Sequence, residues 1–158
     1  MNVGKRNKNR AAGIFCRIVS MVWVYCLSGY ALAVDNPDAP DYVGDFKSRA
    51  LVFEQDIHNT AHTTQGYRKA YAAYEAFLDK ELNIAYSKLK THLEHGLREA
   101  LTDSQCKWLT YKGAAFEFVA VNWTTENFGS ASVISRGDYR TTIIRDRVIL
   151  LLHYLQNY

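Results

Sequence analysis

Residues 79–112, DKELNIAYSKLKTHLEHGLREALTDSQCKWLTYK, decide how the rest of the chain is read. Apolar residues recur at helical spacing through Leu78, Leu82, Ala85, Tyr86, Leu89, Leu93 and Leu97. The run Leu101-Thr102-Asp103-Ser104-Gln105 then interrupts the pattern. Thr102 followed by Gln105 has the spacing of a capping box, in which the hydroxyl accepts a first-turn N–H and the amide reaches back to the cap. Trp108 and Tyr111 follow on one face of the next helix. The stretch predicts a helical hairpin that turns near residues 101–105.

Outward from the hairpin, the spacing predicts one long helix over Tyr67–Ala100, with Tyr67, Tyr71, Tyr74, Leu78, Leu82, Ala85, Leu89 and Leu93 as its inward stripe. Before it, Phe46, Ala50, Phe53 and Ile57 recur at intervals of four, three and four, a short amphipathic helix over Phe46–His58. The returning helix runs from about Asp103 to Asn122. Thr124–Gly137 reads as a loop, marked by Asn127-Phe128-Gly129-Ser130 and Arg136-Gly137. Asp138 then caps a last helix to Gln156, with Ile144, Val148, Leu151, Leu152 and Leu155 inward. No stretch of strand alternation is long enough to matter. The expected fold is all-α, a small bundle built on a long hairpin plus a C-terminal helix, with one domain over residues 46–158.

The first 33 residues have a different character. Lys5, Arg6, Lys8 and Arg10 precede an apolar run over Ile18–Tyr30, and Ala31-Leu32-Ala33 ends it with small residues where a signal peptidase reads. This is the layout of a secretory signal peptide cleaved after Ala33, which implies export to a periplasm. Five of the 19 basic residues and none of the 16 acids lie in this segment, so the formal charge of +3 becomes −2 without it. The basic balance therefore carries no argument for nucleic acid. Cys16 and Cys26 belong to the segment as well, leaving Cys106 with no disulfide partner. Its place two residues before Trp108 favours burial. Residues 34–45 hold both prolines and the acids Asp35, Asp38, Asp41 and Asp45, an acidic flexible leader.

Little in the sequence argues for catalysis. His58 and His62, or His92 and His95, have ligand-like spacing but lack a third donor nearby, so no metal or cofactor is expected. There is no glycine-rich phosphate loop, nucleophile elbow or His-Glu-x-x-His. The carboxylates are scattered along helices as surface charges, among them Glu94 four residues before Arg98.

Three pieces in a fixed order carry a resemblance. They are Asp79-x-x-Leu82-Asn83-x-x-Tyr86-x-x-Leu89, then Leu101 and Gln105-x-x-Trp108-x-x-Tyr111-Lys112, then Gly129-Ser130 with Thr142-x-x-Arg145. Over roughly Thr64–Leu155 the chain resembles the LprI-like lysozyme inhibitors, small exported bacterial helical domains. The family usually has cysteines near Ala70–Tyr71, Phe116 and Gly137, and this chain has none there. Aromatic packing by Tyr71 and Phe116 is expected to replace the staple. The signature residues are read first as structural: Asn83 and Gln105 bonding backbone near the turn, Tyr86, Trp108 and Tyr111 packed between helices, and Arg145 pairing with Asp79. The resemblance implies a non-enzymatic protein that occludes a lysozyme cleft. Candidate contacts are the leader acids Asp35, Asp38, Asp41 and Asp45, or the aromatic loop of Trp123, Asn127 and Phe128. The competing reading is a periplasmic immunity or envelope-binding protein with another protein partner.

Overall fold

The computed structural model describes residues 40–158, and the segment read as a signal peptide lies outside them. Five helices follow one another: α1 Tyr42–Asn59, α2 Thr64–His92, α3 His95–Asn122, the single-turn α4 Thr125–Phe128 and α5 Ala131–Leu155. No strand occurs among the described residues. None of their helices is long and apolar enough to cross a membrane.

Local chemistry sets most of the boundaries. Asp41 caps α1 by accepting from the Gly44 N–H at 2.8 Å. Thr63 caps α2 through Gly66, and Thr124 caps α4 through Asn127. Asp41 and Asp45 are thus the cap and first turn of α1, where a negative charge complements the helix dipole. Their sequence context suggests a flexible leader, but the cap bond and the helix that follows hold them in place.

Two boundaries fall elsewhere than the sequence suggests. The chain turns at Leu93 and Glu94, whose backbones are extended, and not at 101–105. Thr102 sits inside α3, where its hydroxyl donates to the Arg98 carbonyl at 2.7 Å, so no capping box forms. Asp138 likewise lies seven residues into α5 and is not its cap. The helix starts early because Ser132, Val133 and Gly137 are buried and must be held against the bundle.

Side-chain pairs fix the helix directions. Tyr74–Glu54, Glu81–Arg49 and the Tyr42 ring under Lys88 run in opposite order along α1 and α2, so these two are antiparallel. Asp79–Lys112 and Tyr86–Thr102 make α3 antiparallel to α2. Tyr71–Asp138 and Glu75–Arg140 advance together, so α5 is parallel to α2. These two form the most extensive contact of the bundle, with α1 and α3 flanking them. The core lies along that seam: Leu78, Leu82, Ala85 and Leu89 of α2 meet Ile144, Val148, Leu151 and Leu155 of α5, and α1 adds Val43, Phe46 and Ala50.

Glu81 is buried in this frame and is held by Arg49 at both oxygens, at 3.2 and 2.7 Å. Deleting the guanidinium leaves a carboxylate short of donors. Arg49→Ala is expected to cost about 2–3 kcal/mol, read by urea unfolding, even though the arginine itself is half exposed. A change near zero would mean that water replaces the fork at no cost.

Candidate protein-interaction surface

The sequence pattern's signature residues divide into those tied into the frame and those left outside it. Leu82 is core. Asp79 accepts from Lys112 Nζ at 3.2 Å, and the same amine stands 5.6 Å from the Trp108 ring and 5.7 Å from that of Phe116. The Tyr86 and Thr102 hydroxyls are 3.1 Å apart. Gln105 is buried and accepts from Arg147 Nε at 3.1 Å, while Arg147 Nη2 donates to Ser104 Oγ at 3.1 Å. Arg147 is itself buried, makes no ion pair among the described residues, and has its pKa lowered by that burial. This lattice ties α3 to α2 and α5 where apolar burial is thin. Over 28 residues α3 buries only Leu101, Gln105 and Val119, whereas the shorter α5 buries ten residues.

Arg145 does not reach Asp79. Its Nε lies 3.3 Å from Glu54 Oε1 of α1, poorly aligned, so this buried N–H has no hydrogen bond. Asp79 is on the side of α2 that faces α3, and Arg145 is on the side of α5 that faces α1, so the two are kept apart. Glu54 also accepts from the Tyr74 hydroxyl at 2.8 Å. Burial, and then the hydrogen bond to Glu54, raise the Tyr74 pKa above that of an ordinary phenol. Tyr71 is raised in the same way, by burial and by donating to Asp138. Both phenols stay neutral and act as donors inside the bundle.

Asn83 and Tyr111 are exposed, outside the positions expected of them, and Cys106 is also exposed and not buried. Gly129 has φ +58°, which favours glycine in the turn between α4 and α5, and Ser130 follows as the α5 cap without a side-chain bond. Glu94 and Arg98 do not pair. Arg98 Nε donates instead to the Leu93 carbonyl across the α2–α3 turn. Among the described residues, no group of three His, Cys, Asp or Glu side chains converges to hold a metal ion.

The outer face of α3 is where apolar surface collects. Tyr111, Phe118 and Val121 are 58, 60 and 70 % exposed, and their spacing of seven and three puts them on one side of the helix. The neighbouring end of α5 adds Tyr139, and α4 adds Phe128, each about half exposed. Trp123 joins them: its ring lies 4.3 Å from that of Tyr139 and meets Phe118 edge-on at 6.2 Å. Glu117, Glu126 and Asn127 are exposed beside them, and neither carboxylate makes an ion pair among the described residues. Phe118, Trp123 and Tyr139 touch one another, and exposed apolar surface gathered in this way marks an interaction site more often than chance. Trp and Tyr are the side chains that most often anchor such sites.

Asp41 and Asp45 are at the other end. Tyr42, next to Asp41, sits under Lys88 near the end of α2, whereas Trp123 is at the end of α3 that neighbours the start of α2. Trp123 packs on Tyr139, whose neighbour Asp138 is bonded by Tyr71, so the stretch of α2 from Tyr71 to Lys88 separates the two, about 26 Å of helix. The structure therefore does not bring Asp41 and Asp45 together with Trp123, Asn127 and Phe128. Asp35 and Asp38 lie outside the described residues. The sequence marks Trp123, Asn127 and Phe128 as candidates but does not mark Tyr111, Phe118, Val121 and Tyr139 as surface. The available signal was the weak amphipathicity of α3, which places aromatics on more than one side.

The sequence model of the family described as lysozyme inhibitor LprI matches residues 56–151, more than half of the chain. No curated protein and no solved structure matches it.

Proposed function

Because the chain belongs to the LprI lysozyme inhibitor family, we propose that it is an exported, non-enzymatic inhibitor that covers the cleft of a muramidase with the outer face of α3 and the α4 loop. The observation that carries this reading is the exposed aromatic face of Tyr111, Phe118, Val121, Phe128 and Tyr139 on a frame whose buried polar groups are largely tied internally. Aromatic side chains give contact area at little cost in side-chain entropy. Glu117 and Glu126 at its edge, with the net −2 that remains once residues 1–33 are removed, favour encounter with a basic enzyme. The signature residues Asp79, Leu82, Tyr86, Gln105, Trp108 and Lys112 then serve to hold α3 at the right distance and angle, and do not themselves touch the enzyme.

The test is inhibition of basic and neutral lysozymes by the purified protein at low and moderate salt. Inhibition of a basic enzyme is expected to weaken as salt rises. Phe118→Glu is expected to raise the inhibition constant by about 30-fold or more, the effect of losing a hot-spot residue of about 2 kcal/mol. Its melting temperature should stay unchanged, because the side chain is 60 % exposed. Undiminished inhibition by Phe118→Glu would move the contact to another face. A folded wild-type protein that inhibits no lysozyme class would favour the alternative, an immunity or envelope-binding protein that uses the same patch on a different partner.

A further inference from the structure

The turn between α2 and α3 is built from a segment whose side chains suit a continuous helix. Leu89, Leu93, Leu97 and Leu101 recur every four residues across it, with no proline and with one glycine, Gly96, only after the turn. Only Leu93 and Glu94 leave the helical conformation. Glu94 occupies the cap of α3 but makes no side-chain cap bond, and glutamate is not among the residues that favour that position. One side chain spans the turn, Arg98 donating to the Leu93 carbonyl. Leu97, in register with the core leucines, is 53 % exposed. An apolar recess of about 210 Å³ remains open beside it, lined by Leu89, Leu93, Leu101 and Tyr154.

We infer that this turn is a hinge and that two copies of the chain exchange halves through it. In the exchanged dimer α2 and α3 run on as one helix, and α1–α2 of each copy packs on α3–α5 of the other. Every contact between the two halves is remade between copies, including Asp79–Lys112, Glu75–Arg140 and Tyr71–Asp138, while contacts within a half, such as Arg147–Gln105, stay in one copy. Straightening restores the backbone bonds that a turn leaves open at one helix end and the next helix start. It also lets Leu97 from both copies cover one another about the two-fold axis. A short, poorly capped hinge between halves that share a large interface is the known setting for such exchange. The α2–α5 seam must open before halves can trade, so the two forms interconvert slowly.

The experiment is to refold the purified protein from urea at high and low concentration in reducing buffer, which excludes a Cys106 disulfide, and to separate species by size with light scattering. A dimer is expected after refolding at high concentration, and it should persist for hours on dilution. His95→Pro discriminates the hinge. His95 is the first residue of α3, where proline fits, and Glu94 before it is already extended. In a straight helix the same proline is interior, so dimer formation should fall by ~100-fold while the monomer keeps its helical signal. If His95→Pro does not fold, Glu94→Ser, which supplies the missing cap, should shift the population toward monomer. Absence of a dimer after concentrated refolding, or a dimer that both variants leave undiminished, overturns the exchange.

Discussion

Gly137→Ala lowers stability by about 3 kcal/mol, although alanine is the better helix former by about 1 kcal/mol. The expectation rests on a close approach of α2 and α5. A Cβ at Gly137 would lie 2.3 Å from Tyr71 Cγ and 2.5 Å from both Cδ atoms. These atoms are the root of a buried ring whose hydroxyl is anchored on Asp138, so the ring cannot swing aside without losing that bond. The remaining way to make room is to spread α2 from α5, which loosens Leu78 against Ile144 and everything beyond. For a domain of this size the melting temperature should fall by about 10 °C. Adding Gly137→Ala to Tyr71→Ala should be neutral or stabilising, since the ring that clashes is then gone. A single Gly137→Ala that melts higher than the parent would show that α2 and α5 separate freely here and that the Tyr71 ring does not fix their spacing. An added Cβ would lie within about 3.8 Å of the Tyr71 Cβ, the separation a disulfide spans, and the resemblance puts family cysteines near these two positions. Here the Tyr71 ring lies against the glycine.

The seam shows how far side-chain periodicity reaches. Phe46, Ala50, Phe53 and Ile57 predicted α1, and Tyr71 through Leu93 predicted the inward face of α2, because a regular helix against one core imposes a spacing that the residues must keep. The turn was misplaced for the same reason. Leu93, Leu97 and Leu101 keep helical spacing while the backbone between them bends, and Thr102–Gln105 has the composition of a cap without being one. Gly137 had the look of a helix boundary, whereas it is an interior position emptied for the Tyr71 ring. Which ions pair across helices depends on rotation about each axis. Arg145 could be assigned to Glu54, and not Asp79, only once the faces were known. The candidate surface was legible at Trp123 and Phe128, because Asn127 and Gly129 mark a loop. It was illegible at Phe118 and Val121, because an aromatic on a helix is core unless its neighbours fail to arrive, and α3 is covered on one side only.

Phe46→Ala should cost about 4 kcal/mol, the largest loss expected from truncating a single side chain here. The family match begins at Asp56, in the last turn of α1, so by sequence most of this helix stands outside the shared domain. The packing places it inside. Phe46 is fully buried, its ring stacks 6.2 Å from Phe77, and Phe53 extends the stack at 4.4 Å from Phe77 and 5.9 Å from Tyr74. Val43 and Ala50 bury the same face one turn to either side. The polar links point the same way: Arg49 neutralises buried Glu81, and Glu54 accepts from Tyr74 while facing Arg145. Removing the Phe46 ring therefore opens a cavity between α1 and α2 that neighbours on two rigid helices cannot fill, which sets the cost toward the upper end for such truncations. Urea unfolding should show a single transition moved to lower denaturant with an unchanged slope, because α1 and the bundle unfold as one unit. Two transitions, or a loss under about 1 kcal/mol, would mean that α1 is an appendage and that the matched segment is a domain by itself. In that case deletion of residues 1–55 would leave a folded domain. On the packing described here, that deletion exposes Leu78, Tyr74 and Glu81 to water and leaves no stable bundle to carry the aromatic face of α3.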